Sequence, residues 1–237
     1  MKLIHNTNTN AHYNLALEEY LLKSKDFDIF MVWQNKNAVI VGRNQNTHNE
    51  VDAENIKRHG VQVVRRLTGG GAVYHDMGNI NYTYIMRGAS EHFNDYKYFA
   101  APIVAFLRKI GIAADMSGRN DIVCGDKKIS GTAQVKHGED VLFHGTLLVD
   151  TDINMLTACL TPEVSKLTRH GIKSVSSRVM NLKTGVAEMI DMLIAEAGAE
   201  RYELTPEDIA ETEKLMNEKY ATDEWNYGDF VAEDLGE

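Results

Sequence analysis

Three consecutive glycines stand at the centre of the run Arg65-Arg66-Leu67-Thr68-Gly69-Gly70-Gly71-Ala72-Val73-Tyr74-His75-Asp76. Glycine loses more backbone entropy on folding than any other residue and packs no side chain in return. A folded chain keeps three together where its backbone turns tightly or approaches a ligand closely. Two arginines precede the glycines, and an apolar, strand-like segment follows. Bare N–H groups beside guanidinium charges suit a phosphate or another anion. The spacing is neither Gly-x4-Gly-Lys-Ser/Thr nor Gly-x-Gly-x-x-Gly, which excludes a P-loop and a dinucleotide fingerprint. A glycine-rich hairpin turn with two solvated arginines accounts for the same residues.

With 237 residues the chain fits one large domain or two small ones, and it is long enough to bury a core. Apolar residues make up 43% and charged residues 25%, the balance of a globular protein rather than a disordered one. No stretch of about 18 apolar residues is present to span a membrane. Met1-Lys2-Leu3-Ile4-His5-Asn6 lacks the apolar centre of a signal peptide, so the expected location is cytoplasmic. Cys124 and Cys159 have no metal-ligand spacing and fit a reducing compartment. A net charge of −9 argues against a nucleic-acid surface. Arg65, Arg66, Arg119, Lys127 and Lys128 nevertheless fall in the two most motif-like segments, as expected of a basic pocket for a small anion.

Apolar spacing predicts a helix over Asn14 to Leu22, with Glu18 and Glu19 on its polar side. Phe27 to Trp33 and Ala38 to Gly42 are rich in β-formers, and the intervening Gln34-Asn35-Lys36-Asn37 predicts a hairpin. A short helix is expected from Val51 to His59, capped by Gly60. Strands follow at Val61 to Val64, Gly71 to Tyr74 and Ile80 to Met86, the last alternating as Ile80, Tyr82, Tyr84, Met86. Tyr98 to Ile110 carries a clear helical stripe. A strand runs to Cys124, Lys127 to Val135 returns, and Val141 to Val149 follows the turn at His137-Gly138-Glu139-Asp140. Helices are expected at Asn154 to Leu160, Pro162 to Thr168, Val186 to Ala197 and after Thr205-Pro206, ahead of an acidic tail over 221–237. Strands early and helices late favour an α+β domain with a mixed, largely antiparallel sheet flanked by helices.

Gly125-Asp126 reads as a two-residue hairpin turn of the primed type. Cys124 then faces Lys127, Val123 faces Lys128 and Asp121 faces Ser130, so that Asp121, Val123, Lys128 and Ser130 share one side. A lysine and an aspartate there, beside Gly131, suit a phosphate and a metal ion. A surface Lys–Asp pair of little energetic weight is the plainer alternative. His144 changes face with a one-residue change in the preceding loop.

In order along the chain stand Asn14-Leu15-Ala16-Leu17-Glu18-Glu19, Trp33-Gln34-Asn35, Val41-Gly42-Arg43-Asn44-Gln45-Asn46 and the glycine run through Asp76. Then come Gly118-Arg119-Asn120-Asp121, Lys128-Ile129-Ser130-Gly131-Thr132-Ala133, His144-Gly145-Thr146-Leu147-Leu148, Gly171 to Val179, and Glu224-Trp225-Asn226-Tyr227-Gly228. In this set and order the chain resembles the lipoate–protein ligase A family. The resemblance implies a biotin/lipoate protein ligase-like catalytic domain, related to class II aminoacyl-tRNA synthetases. It implies activation of lipoate by ATP with Mg²⁺ to lipoyl-adenylate, then transfer to a lysine of an acceptor. Acceptors in the family are lipoyl domains of 2-oxoacid dehydrogenase complexes and the glycine-cleavage H protein; neither nucleic acid nor membrane is an expected partner.

Residue by residue, the resemblance gives Lys128 the contact with both the lipoate carboxyl and the α-phosphate. Arg66, Gly70, Gly71, Ala72, Val73 and Tyr74 match nucleotide-binding positions, as do Asn120, Asp121, Ser130, Gly131, Thr132 and Ala133. Asp121 is the candidate for Mg²⁺. Trp33, Arg43, Lys128 and Gly145 are expected at the lipoate, and His75 and His144 at its carboxyl end. Family members with both activities usually carry an accessory domain after the Trp-Asn-aromatic-Gly segment. The expectation is therefore a single catalytic domain over 1–237, either a natural short form working with a separate accessory subunit or a chain that has been cut. The nucleophilic cysteine of one octanoyltransferase branch matches Glu163 here, which favours ligation over cysteine-dependent octanoyl or lipoyl transfer. A non-catalytic lipoyl-binding module is the remaining alternative.

Overall fold

The computed structural model describes residues 1–161 and 178–228. Asn10 starts the first helix, α1 (Ala11–Ser24), by accepting from the His12 and Tyr13 amides. Tyr13, Leu17 and Leu21 pack inward as the periodicity requires, but Glu18 and Glu19 are also buried. The helix lies between layers, so its polar side meets protein rather than water.

Among the described residues the chain forms an eight-stranded and a three-stranded sheet. The larger holds β1 (Lys2–Asn6), β2 (Ile29–Trp33), β6 (Asn79–Met86), β7 (Ala114–Ser117), β8 (Asp121–Cys124), β9 (Lys127–His137), β10 (Asp140–Leu148) and β11 (Glu200–Arg201). Its spatial order is β11-β1-β2-β6-β10-β9-β8-β7. Pairing is parallel among β11, β1 and β2 and antiparallel from β2 to β7. The smaller sheet runs β4 (Gln62–Arg65), β3 (Ala38–Val41), β5 (Val73–His75).

The hairpin expected between Phe27 and Gly42 does not form, because β2 and β3 lie in different sheets. Each strand is buried along its whole length, so neither carries the alternation of a half-exposed hairpin arm. Gln34 to Asn37 is the crossing between sheets, and Asn35 is fully buried. The helix expected over Val51 to His59 forms from Ala53, as α3 (Ala53–His59) capped by Asp52, and a separate, unexpected short helix, α2 (Thr47–Glu50) capped by Asn46, precedes it. Gly60 closes α3 in the left-handed region, at φ 60°.

One face of the large sheet is covered by α4 (Tyr96–Lys109) and α6 (Val186–Ala197), around Phe99, Phe106, Tyr82, Phe143 and Leu193. The other carries α1 and the small sheet, around Leu17, Trp33, Ile40 and Leu142. Outside the small sheet, α5 (Ile153–Cys159) closes a third cluster with Val39, Tyr74 and Cys159. The helix α7 (Pro206–Leu215) starts with the expected proline and a capping box of Thr205 and Asp208. Buried Asp208 also accepts from Lys25, Tyr20 and Tyr202, which ties α7 to α1. A π-helical turn (Met216–Tyr220) leads to α8 (Asp223–Tyr227). The helix expected at Pro162 to Thr168, Glu163 and the end of the acidic tail lie outside the described residues.

Candidate active site

Strand register builds the floor of the site. Trp33 lies opposite Asn81, and Asn81 opposite Thr146. The β9–β10 ladder pairs Thr132 with Gly145, which brings Thr146 beside Gly131, and the Gly131 amide donates to Thr146 Oγ1 at 3.2 Å. Gly131 in turn lies opposite Asp121. These residues form one line across five strands, and three interstrand steps separate Gly131 from Trp33, about 14 Å. Leu15 of α1 and Ile40, Arg66, Gly70, Gly71, Ala72, Val73 and His75 of the small sheet and its loop form the roof. Between them lies a cavity of about 110 Å³.

Lys128 stands at the open end. The two-residue turn forms as expected, with Gly125 at φ 62°, Cys124 opposite Lys127 and Val123 opposite Lys128. Lys128 Nζ meets Asp121 Oδ1 at 2.7 Å, with side chains 33% and 38% exposed. Ser130, however, pairs with Ile122 rather than Asp121, because Ile129 is an extra residue in a β-bulge. The slip turns Ser130 to the other face, where its buried Oγ meets Tyr82 OH at 3.2 Å. Gly131 takes its place beside Lys128, and a Cβ there would come within 2.9 Å of Nζ.

The glycine loop is held from within. Arg66 donates to Thr68 Oγ1 (2.9 Å), Ile40 O (3.1 Å), Gly69 O (2.6 Å) and Gly71 O (2.9 Å). Burial pushes its guanidinium down to about 10. Arg65 is fully buried and donates to the carbonyls of Gly42, Arg43, Gln45, Trp225, Asn226 and Gly228 and to Thr47 Oγ1. Neither arginine is solvated. Gly70 takes φ 94°, and its carbonyl packs where a Cβ on Gly42 would sit, at 2.0 Å. A Cβ on Gly69 or Gly71 would meet nothing within 4 Å, so the loop surface is open there. An open, rigid row of backbone groups beside a lysine suits a phosphate.

A polar chain links the floor to this loop. Trp33 Nε1 donates to Thr83 Oγ1, and Thr83 donates to Glu18 (2.6 Å). Glu18 faces His144 Nδ1 at 3.0 Å, and Thr68 meets His144 Nε2 at 2.8 Å. Since the carboxylate only accepts, His144 donates to it from Nδ1, and its Nε2 faces the Thr68 hydroxyl. Its ring is thus engaged at both nitrogens. His75 is buried nearby, and burial, then the charge of Arg66, then His144, push it down to about 3.

Of the other residues expected at the site, Asn120, Thr132 and Ala133 line the cavity, with Asn120 Nδ2 donating to Thr132 O at 2.8 Å. Gly145 borders it through backbone alone; a Cβ would point to the far face and meet Tyr82 OH at 2.3 Å. Tyr74 is turned into the outer cluster and donates to Asn37 Oδ1. Arg43 does not line the cavity, and its buried charge lies toward Glu19 and Tyr220. Leu15, Ile40, Asn81 and Thr146 join the lining unannounced, and Glu18, Thr68 and Thr83 support it. Polar Asn79, Asn81 and Thr83, alternating with Ile80, Tyr82 and Tyr84 along β6, were the available signal. Neither cysteine lines the cavity, and burial pushes the Cys159 thiol up, away from the nucleophilic thiolate. Among the described residues no cluster of three or more metal-ligating side chains occurs, and no helix is long and apolar enough to cross a membrane.

The profile of the lipoyl protein ligase A/B catalytic domain family matches residues 10–197. Lipoate–protein ligase 1 of Staphylococcus aureus is 40% identical over 241 residues, covering 96% of this chain and 74% of its own length. The fold is similar to that of a bipartite lipoate protein ligase of Thermoplasma acidophilum solved with its E2 lipoyl domain, with TM-score 0.87, 29% identity and coverage of 99% and 98% of the two chains. A T. acidophilum ligase with bound lipoic acid gives 0.84 at 28% identity, covering 96% and 98%. A lipoate-protein ligase A bound with ATP gives 0.83 at 28%, covering 97% and 99%. A matched catalytic domain, similarity along nearly the whole chain, and a lysine beside a glycine loop at the mouth of a narrow cavity agree: the chain belongs to the lipoyl protein ligase A/B catalytic domain family and is an enzyme of the lipoate–protein ligase kind.

Proposed function

We propose that this chain joins lipoate to ATP and passes the lipoyl group to a lysine of an acceptor lipoyl domain. The observation that carries this is the cavity itself, a narrow slot about three strands long, walled by Trp33 at one end and open at Lys128. A slender acyl chain fits such a slot, with its reacting carboxyl at the mouth where nucleotide and acceptor arrive. The carboxylate attacks the α-phosphorus, pyrophosphate leaves, and lipoyl-adenylate forms. The acceptor ε-amine then attacks the acyl carbon, AMP leaves with its new negative charge, and the amine loses a proton as the amide forms.

Lys128 offsets the repulsion between carboxylate and phosphate and stabilises charge as it builds on the phosphorus. Gly70, Gly71, Ala72 and Val73 bring backbone close to the nucleotide, and Arg66 keeps that backbone in shape. Trp33 and Leu15 wall the acyl chain. Asp121 fits a Mg²⁺ ion that arrives with the phosphates, since magnesium takes one or two carboxylates plus substrate oxygens. The same acceptor chemistry extends to the glycine-cleavage H protein, and a separate accessory subunit assists the adenylation step.

ATP–pyrophosphate exchange dependent on lipoate tests the first half-reaction, run with and without the accessory subunit of a bipartite relative. Lys128→Ala lowers the exchange rate by roughly 10²–10³-fold, the usual loss for a transition-state charge partner. Exchange at the wild-type rate in that variant would sink the assignment. Lipoate-dependent exchange that survives removal of both cysteines separates ligation from thioester transfer.

A further inference from the structure

Among the buried polar atoms of the cavity wall, His75 Nε2 has no hydrogen-bond partner. Its protonation follows from a chain of amides anchored on backbone groups. The Asn8 amide donates to Asn6 Oδ1, which leaves Asn6 Nδ2 to donate to Asn14 Oδ1 at 2.8 Å. Asn14 Nδ2 shares its two hydrogens among three acceptor oxygens within 2.9 Å, the carbonyls of Asn8 and Gln34 and Asn35 Oδ1. Asn35 Nδ2 therefore faces His75 Nδ1, at 3.1 Å, and donates to it. A neutral imidazole that accepts at Nδ1 carries its proton on Nε2. Low basicity of the buried ring keeps it neutral, so the tautomer is fixed: a bare N–H donor, 4% exposed as a residue, on the wall of the slot.

The ring sits edge-on to Trp33, with centroids 6.4 Å apart, at the end of the slot remote from Lys128 rather than at the carboxyl end where the family resemblance puts it. Asn81, opposite Trp33 on the floor, has a second unpaired buried group, its Nδ2. The closed end of the slot is thus not wholly apolar. A ligand whose carboxyl reaches Lys128 brings its other end here.

We propose that His75 is a fixed hydrogen-bond donor at the closed end of the slot, selecting an acyl chain whose far end carries an acceptor, and that Asn14 and Asn35 are the positioning residues that hold its tautomer. This rests on the ligase function proposed above. The sulfurs of a dithiolane ring offer lone pairs and polarisable surface to the N–H, whereas the methyl end of octanoate leaves it desolvated and unpaired, which is unfavourable. The chain therefore binds lipoate in preference to octanoate by about tenfold, the order expected for one mismatched buried donor.

Calorimetric titration of the full chain with lipoate and octanoate tests the selectivity. His75→Phe, which keeps a ring without a donor, brings the ratio close to one, and His75→Gln, which restores an N–H near Nε2, recovers most of it. Nitrogen NMR of the imidazole tests the tautomer independently: the wild type shows a single Nε2–H form, and Asn35→Ala shows a mixture. An unchanged ratio in His75→Phe, or an Nδ1–H tautomer in the wild type, overturns the inference and leaves the ligase function standing. If the wild type binds neither acid, both fall.

Discussion

Strand β6 shows the two faces of the large sheet side by side. Ile80, Tyr82 and Tyr84 point to the helix-covered face, and Asn81, Thr83 and Ile85 to the face under α1. Both sets are buried to a similar depth, Tyr82 and Thr83 fully. The first face is filled by dispersion contacts among rings, with Phe99 stacked on Phe143 at 5.4 Å. The second is filled by directed hydrogen bonds that run from Trp33 through Thr83, Glu18 and His144 to the glycine loop. Apolar packing is stabilising but indifferent to ligand. A polar network in the same sheet is less forgiving, yet it fixes which atom donates and where.

The sharpest break between the faces comes from Phe143→Ala. Truncating a fully buried ring lowers unfolding free energy by about 3–5 kcal/mol, measured by urea titration, while activity per folded molecule stays at the wild-type level. Lys128→Ala does the reverse: exchange activity falls as described above, and stability changes by less than about 1 kcal/mol, because the Asp121 pair is half-exposed. A denaturation midpoint well below wild type in Lys128→Ala would blur the division.

Glycines sharpen it further. In Gly145→Ala the new methyl meets the Tyr82 hydroxyl across the sheet, an overpacking that is destabilising by about 1–3 kcal/mol, visible in thermal melts. In Gly71→Ala nothing is crowded, so stability stays within about 0.5 kcal/mol of wild type, while the apparent affinity for ATP falls. The histidine of the polar face gives a pH signature. Folded His75 holds its proton only below about 3, and its unfolded counterpart titrates near 6.5. The unfolded state binds the extra proton between those values, so stability falls as pH falls through that window. Unfolding free energy in His75→Phe is less steep there by about 1.4 kcal/mol per pH unit, one proton's worth.

Local rules make much of the frame legible. The stripe of α4 and the capping box at Thr205 depend on neighbours a few residues away, as does the Gly125-Asp126 turn that aligns Lys128 with Asp121. Ser130 lands on the opposite face from the one its spacing suggests because a single bulged residue, Ile129, inverts everything after it, and no local pattern marks a bulge. Glu18 reads as solvent-facing because helical spacing reports polarity, not what covers it. The hairpin expected of β2 and β3 fails for a related reason: strands buried on both sides carry no alternation to show which sheet they join. The family resemblance brings Trp33, Lys128, His75 and the glycine loop to one place, and its motifs include Thr146 without a role, but Asn81 lies outside them and joins the site through register alone.

Arg65 carries a consequence for how this molecule is made. Its guanidinium and backbone bind Trp225 and Asn226, about 160 positions downstream. Contacts that distant close late, since the intervening chain must first be ordered. During synthesis the strands of the small sheet emerge long before the segment that completes their loop. A nascent or clipped chain that lacks Trp225 and Asn226 loses a large share of the acceptors around a buried cation. The acceptors that complete the shell of Arg65 therefore arrive only with α8, and the loop this arginine shapes is finished only once that segment is in place.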